Sequence, residues 1–329
     1  MVGTRGGTLE GSLRTKPHLT TFTGGGGYGG FRRSRSLAVT AAAAASIPTS
    51  RIPTSPHVSL VQGASRGIGL EMVRQLLEQP NASLGGRPAA AGGYVVATCR
   101  DPAASAGLAA LHLAYPDRLT LLALDVTDVA SIEAAAAAVT LRHGRVDVLA
   151  NTAAVLHVPG EMAPETSINR IDEEAMMKSF RVNAMGPVLV VKAFAPLLME
   201  ATARSGAAAE GSGFIARPAM VAILSARVSS IGDNSLGGWY SYRASKTALN
   251  QLTKNMAIEF SRKRHPVSFI LLHPGTVNTG LSAPFQRNVP EGKLFTVERA
   301  ATQLLEIVGA KGQEHSGMFF AWDGQEIEW

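Results

Sequence analysis

Tyr242 and Lys246 stand four residues apart in the run Tyr242-Arg243-Ala244-Ser245-Lys246. If the run is helical, both side chains project from one face, one above the other. Ala248, Leu249, Leu252, Met256, Ala257 and Phe260 continue an apolar stripe at helical spacing, which supports that reading. A phenol is a poor acid-base catalyst at neutral pH because its free pKa is about 10. A fixed cation nearby favours the phenolate and lowers that value. The chemistry of such a pair is proton donation to a carbonyl oxygen during reduction. Alone, the pair also fits a solvated helix face, so the rest of the chain must decide.

A second cluster is Gly63-Ala64-Ser65-Arg66-Gly67-Ile68-Gly69. It follows the apolar run 58–62 and opens a helical pattern over 67–78. Glycines at Gly-x-x-x-Gly-x-Gly spacing permit a tight turn and close backbone approach. The helix that follows presents unpaired N–H groups to a pyrophosphate. Glycine is used freely in turns, so the strand-turn-helix context carries the weight.

These residues need a frame, and the chain supplies one. Strands are expected at 58–62, 94–98, 119–124, 146–150, 220–224, 267–272 and 318–321. Helices are expected at 67–78, 103–115, 131–143, 173–199 and around Tyr242. This alternation predicts an α/β, doubly wound parallel sheet of Rossmann type in a single domain. Two Gly/Ala-rich stretches, 79–93 and 201–218, read as surface loops. The segment 281–293, with Pro284, Phe285 and Pro290, reads as a lid whose apolar residues suit a hydrophobic substrate.

Composition bounds the rest. The formal excess of +6 over 329 residues is local. Residues 1–57 hold Arg5, Arg14, Lys16, Arg32, Arg33, Arg35 and Arg51 against Glu10 alone, and the remainder is balanced. A balanced folded region gives no electrostatic ground for nucleic-acid binding. Residues 1–56 are rich in Ser, Thr, Arg, Gly and Ala and poor in acids. They read as an organelle transit peptide, plastid ahead of mitochondrion, with an ordinary disordered segment as the alternative. No stretch is expected to span a membrane. Cys99 is the single cysteine, so no disulfide within the chain and no cysteine-built zinc site is expected. The histidines lack ligand spacing, and no metal is expected.

Together the glycine motif, Tyr242-x-x-x-Lys246 and their order resemble the short-chain dehydrogenase/reductase family across residues 57–329. Ser229 to Asn234, the run Gly237-Gly238-Trp239-Tyr240, His273-Pro274-Gly275-Thr276-Val277 and Asp323 to Ile327 resemble its C-factor-like (C-signal-like) branch. The resemblance implies that Gly63, Arg66, Gly67, Ile68 and Gly69 line the cofactor phosphates. It implies that Asp125 and Val126 contact the adenine side, that Asn151 opens the turn after the fourth strand, and that Pro274, Gly275 and Thr276 border the nicotinamide. Asn183 matches the residue that anchors a water in proton relay, Tyr242 the general acid, and Lys246 the residue that tunes it and holds the ribose. Asn183 and Asp125 also have structural readings, as a backbone tie within a helix and a cap after a strand. The resemblance further implies a small-molecule carbonyl substrate and a homo-oligomer.

Cofactor choice follows from charge. The second strand ends Thr98-Cys99-Arg100, with no acid before Asp101. With Arg66, this gives two guanidinium forks for the extra phosphate of NADP(H), while Asp101 argues the other way. Three positions depart from the family pattern. Gln62 replaces a threonine, and Thr152-Ala153-Ala154 replaces Asn-Ala-Gly. Ala226 occupies the position of the usual serine, leaving Ser225, one residue off, as the provisional carbonyl-orienting donor. Adjacent strand residues face opposite sides, so Ser225 serves only if the strand end twists. A missing donor costs on the order of 10²–10³ in rate. The sequence thus predicts an NADP(H)-dependent carbonyl–alcohol oxidoreductase. The alternative that Ala226 motivates is a weakly catalytic or non-catalytic NADP(H)-binding protein acting in redox sensing or interaction.

Overall fold

The computed structural model describes residues 56–78, 93–209 and 218–329. The expected transit segment lies outside these residues except for Pro56. So do the expected loop 79–93, apart from residue 93, and residues 210–217 of the second loop.

In chain order the elements begin β1 (Val58–Gln62), α1 (Gly67–Glu78), β2 (Tyr94–Cys99), α2 (Ala106–Ala114), β3 (Leu119–Ala123), α3 (Val129–Arg142) and β4 (Val148–Asn151). There follow α4 (Glu173–Phe180), a π turn (Arg181–Met185), α5 (Gly186–Ala209), β5 (Ala219–Leu224), α6 (Tyr240–Arg262) and β6 (Val267–His273). The chain continues through β7 (Thr276–Val277), β8 (Leu294–Phe295), α7 (Val297–Ala310) and β9 (Met318–Ala321).

The main sheet has the order β3-β2-β1-β4-β5-β6-β9, and every pairing in it is parallel. Its strands are continuous apolar runs, as a sheet covered on both faces requires. On one face Leu60, Leu149 and Val221 pack with Ile132 of α3, Phe194 of α5 and Leu249 of α6. On the other, Val61, Ala150 and Ala222 pack with Val73 of α1, Leu108 of α2 and Leu304 of α7. The strand order reverses at β1, between β2 and β4. The crevice at the carboxyl ends of β1 and β4 is where such sheets bind ligands.

Element boundaries moved where side chains cap the backbone. Helix α2 starts at Ala106, later than expected, because Asp101 accepts from the N–H groups of Ala103 and Ala104 and Ser105 caps the helix. Helix α3 starts earlier, behind the cap Asp128. Strand β4 starts at Val148 because Arg145 and Asp147 form a buried pair before it, with Asp147 accepting from Val58 N. The single helix expected at 173–199 is interrupted by the π turn. Its second part runs on to Ala209 through residues read as loop, because their Gly/Ala content does not prevent helix. Helix α7 and the small β7–β8 pair were not foreseen.

Residues Glu173–Ala203 are long and apolar enough to cross a bilayer by length and composition. Val190, Val191, Phe194 and Leu198 within them are buried in the core beside the sheet. That accounts for their apolar character without a membrane.

Candidate active site

The glycine turn follows β1 directly. Gly63 takes φ +88° and Gly67 φ +56°, in the left-handed region where other residues are strained. A methyl group on Gly63 would lie 2.6 Å from Ala153 N, and one on Gly69 2.4 Å from Gly63 O. The turn is therefore folded as tightly as its own backbone allows. The first turn of α1 carries no acidic side chain, which leaves its N-terminus suited to an anion.

Three polar atoms at the ends of neighbouring strands reinforce this reading. Gln62 Oε1, Thr98 Oγ1 and Asn151 Oδ1 are buried and have no hydrogen-bond partner among the described residues. Buried polar atoms are ordinarily paired, so these strand ends fit a polar ligand lying across them. Arg66 and Arg100 are exposed. Asp101 spends Oδ1 on Ala103 N and Ala104 N at 3.0 and 3.2 Å. The acid that argued against a 2′-phosphate is thus engaged in its own turn. The residues fit a dinucleotide, and the guanidinium groups of Arg66 and Arg100 would suit an added phosphate on it.

The substitution Thr152-Ala153-Ala154 finds its explanation here. Thr152 Oγ1 donates to Gln62 O at 2.7 Å, and Thr152 N donates to the same oxygen at 2.9 Å. The threonine thereby ties β4 to β1. None of the three residues takes a positive φ, so the turn does without glycine.

Across the crevice, α6 carries Tyr242 and Lys246, both buried. Lys246 Nζ donates to Leu224 O, the last carbonyl of β5, at 2.8 Å. Burial takes the Lys246 ammonium down to about 7. It pushes the Tyr242 phenol above its ordinary value. The phenol therefore stays protonated at neutral pH, whereas the sequence suggested a cation-lowered value. Here desolvation decides the sign.

Asn183 lies in the π turn, a feature that often marks functional positions. Its amide accepts from Val155 N and donates to Val155 O, both at 2.8 Å. It also donates to Ser245 Oγ at 3.1 Å, and Ser245 in turn donates to Tyr242 O at 2.9 Å. Asn183 therefore joins the loop after β4 to the helix of Tyr242. Ser225 is turned elsewhere: its hydroxyl donates to Asn250 Oδ1 at 2.7 Å and lies 3.2 Å from Ser229 Oγ. Asp125 Oδ1 accepts from Thr127 N and Oγ1 at 2.8 and 2.7 Å, the turn-capping role. Val126 packs where a methyl on Gly186 would be 2.7 Å away. Ile68 is partly exposed at the start of α1.

Gly275 takes φ +78°, and a methyl there would lie 2.6 Å from the Phe295 ring. The Pro274-Gly275-Thr276 turn is thus seated on Phe295. The expected lid holds a short 3-10 segment, Ala283–Asn288. Its Phe285 ring lies 5.0 Å from Trp239 and 6.0 Å from His157. His157 Nε2 bonds Gly280 O at 3.1 Å. Sequence reasoning missed the buried Glu165, whose carboxylate accepts from Ser241 in the first turn of α6. Its partner Ser241 is 76 positions away, and no periodicity marks it.

The family model described as short chain dehydrogenase matches residues 57–290. The 1-hydroxy-2-glutathionyl-2-methyl-3-butene dehydrogenase of Rhodococcus sp. (strain AD45) is 31% identical over 270 residues, covering 82% of this chain and 98% of that protein. The C-signal protein of Myxococcus xanthus is 30% identical over 188 residues, covering 56% of this chain and 94% of that protein. Among solved structures, NADPH-bound carbonyl reductase from chicken fatty liver matches with a TM-score of 0.68 and 30% identity, covering 83% of this chain and 99% of that one.

Proposed function

The chain belongs to the short-chain dehydrogenase family, and from that premise we propose that residues 57–329 form an NADP(H)-dependent oxidoreductase interconverting a carbonyl compound and an alcohol. The observation that carries this reading is the buried Tyr242–Lys246 pair, with Lys246 anchored to Leu224 O at the carboxyl edge of the sheet. The NADPH-bound chicken enzyme supports the choice of cofactor, as do the exposed Arg66 and Arg100 and the engaged Asp101.

NADP(H), when bound, supplies or accepts the hydride. In the reductive direction Tyr242 donates its phenolic proton to the carbonyl oxygen. Burial keeps the phenol loaded with that proton. Lys246, with its ammonium near 7, stabilises the phenolate left behind and sits where proton exchange near neutral pH is easy. Asn183 supports proton resupply by holding Val155 and Ser245 in place beside Tyr242. The Ser225 hydroxyl already serves Asn250, so Tyr242 is the carbonyl's main protein donor in this reading.

NADPH oxidation across aldehydes, ketones and quinones tests the proposal, with Tyr242→Phe alongside. Turnover that the substitution abolishes is the expected result. A second reading rests on Ala226 and the engaged Ser225: a protein that binds NADP(H) and turns over little. Saturable NADPH binding without turnover on any carbonyl would favour it. We further read residues 1–56 as an organelle transit segment, plastid first. Import and shortening of a labelled chain by isolated chloroplasts, against mitochondria, test that.

A further inference from the structure

The helix that carries Tyr242 has an unusual entrance. Its N-cap position is Trp239, whose side chain makes no cap hydrogen bond. An indole has no acceptor to offer the free N–H groups of a first turn. Trp239 also sits at φ +51° and follows Gly237 at +63° and Gly238 at +64°. Three consecutive left-handed residues are rare, and a bulky side chain in that region is strained. Such strain persists only where surrounding contacts over-determine it.

Glu165, from the loop after β4, supplies those contacts. Its main-chain oxygen accepts from Trp239 N at 2.6 Å. Its carboxylate accepts from Ser241 N at 3.2 Å and from Ser241 Oγ. No ion pair to Glu165 is found among the described residues, although it is buried. The positive end of α6 gives the carboxylate a stabilising environment. With the backbone held, the Trp239 ring stands edge-on to Tyr242 at 6.2 Å and meets Phe285 of the lid at 5.0 Å.

The geometry points to Glu165 as a positioning residue: it caps α6 from across the chain and holds Trp239 left-handed, so that Tyr242 is aimed and the Trp239 indole forms a fixed wall beneath the lid. This rests on the oxidoreductase reading for its kinetic consequence but not for its structural one. A wall of Trp239 and Phe285 beside the proton donor suits a carbonyl compound with a planar apolar group next to the carbonyl.

Glu165→Ala, Glu165→Gln and Trp239→Phe in the full chain test it with two readouts. On an aryl ketone or quinone that the parent reduces, Glu165→Ala should lower kcat about 100-fold, the scale of a misplaced reacting group. NADPH affinity should stay within a few-fold, because the glycine turn lies across the crevice. Glu165→Gln keeps an acceptor for Ser241 N and should recover most of the rate. The second readout is indole fluorescence: the difference between parent and Trp239→Phe reports the wall alone, and it should be altered in Glu165→Ala and retained in Glu165→Gln. Parent-like kcat and indole signal in Glu165→Ala overturn the assignment. So does a Gln variant as impaired as Ala, or a kcat loss matched by lost NADPH binding. If the parent turns over no carbonyl, the oxidoreductase reading fails, and the indole signal still decides the positioning role. If Glu165→Ala does not fold, Glu165→Gln carries the test: a folded Gln variant with parent-like kcat and indole signal supports the assignment, and one unlike the parent in both overturns it.

Discussion

The two walls of the crevice are built in different ways. The glycine turn, from Gln62 to Gly69, is local: its close approaches join residues near in sequence or in the adjacent strand end, such as Gly69, where an added methyl would lie 2.4 Å from Gly63 O. The opposite wall is assembled from distant parts. Tyr242 and Lys246 come from α6, Leu224 O from β5, Asn183 from the π turn, and Glu165 from the loop after β4. In the function proposed above, the first wall would bind through main-chain geometry and exposed charge, and the second would act through buried side chains whose protonation burial has shifted. Binding and chemistry should therefore separate under mutation.

The sharpest separation is expected for Tyr242→Phe. Removing the phenolic hydroxyl takes away the proton donor and leaves the ring, so kcat should fall by at least about 1,000-fold, near the upper range for general acid catalysis. NADPH affinity should hold within a few-fold, measured by nucleotide fluorescence. Parent-like turnover would falsify the acid assignment and leave the two walls functionally indistinct.

The converse is expected at Gly69→Ala. The new methyl would meet Gly63 O at 2.4 Å, so the turn must open. NADPH Kd should rise by about 100-fold, the loss of about one charge-assisted hydrogen bond to the cofactor phosphates, ~2.7 kcal/mol. The near-ultraviolet signal of the aromatic wall should stay unchanged. An alanine variant that binds NADPH normally would mean that the turn is looser than its geometry implies.

How much of each wall was legible in the sequence follows from the same contrast. The turn at Gly63–Gly69 was readable because its requirement is conformational: Gly63 and Gly67 take a positive φ, and Gly69 has no room for a side chain. The sheet was readable because strands buried on both faces leave unbroken apolar runs. Tyr242 and Lys246 were readable because helical spacing aligns them. Ser225 was not resolved, since its orientation depends on Asn250, 25 residues on. Glu165 and the left-handed Trp239 were invisible because nothing within their own segments calls for them. The sign of the Tyr242 shift was misread for a similar reason: sequence shows the neighbouring cation, while burial is a property of the whole fold.

A smaller effect sharpens the account of the first wall. Arg66→Ala with Arg100→Ala should reduce the preference for NADPH over NADH by about 10- to 100-fold, the worth of one charge-assisted hydrogen bond at ~1.5–3 kcal/mol. The loss should lie in affinity, with kcat at saturation unchanged. An unchanged NADPH/NADH ratio would remove the two guanidinium groups from cofactor selection. Because Asp101 is committed to Ala103 N and Ala104 N, Asp101→Asn should alter that ratio little.

The smallest effect separates the walls by pH. Lys246 has an ordinary value of 10.5 and is lowered by burial to about 7. Between those values the unfolded chain binds a proton that the native chain does not, so this group makes stability rise with pH over that window. Below about 7 both states hold the proton, and the native state bears the full cost of a buried ammonium. Lys246→Met removes the charge and also the donor to Leu224 O, a loss of about 1 kcal/mol that does not vary with pH. Relative to the parent, the Met variant should therefore be best placed at pH 6, and its relative stability should decline steadily toward pH 10. Melting temperatures of the two proteins across that range give the comparison directly. A difference that is flat with pH, or that grows in favour of Met above pH 7, would show that the ammonium is not desolvated.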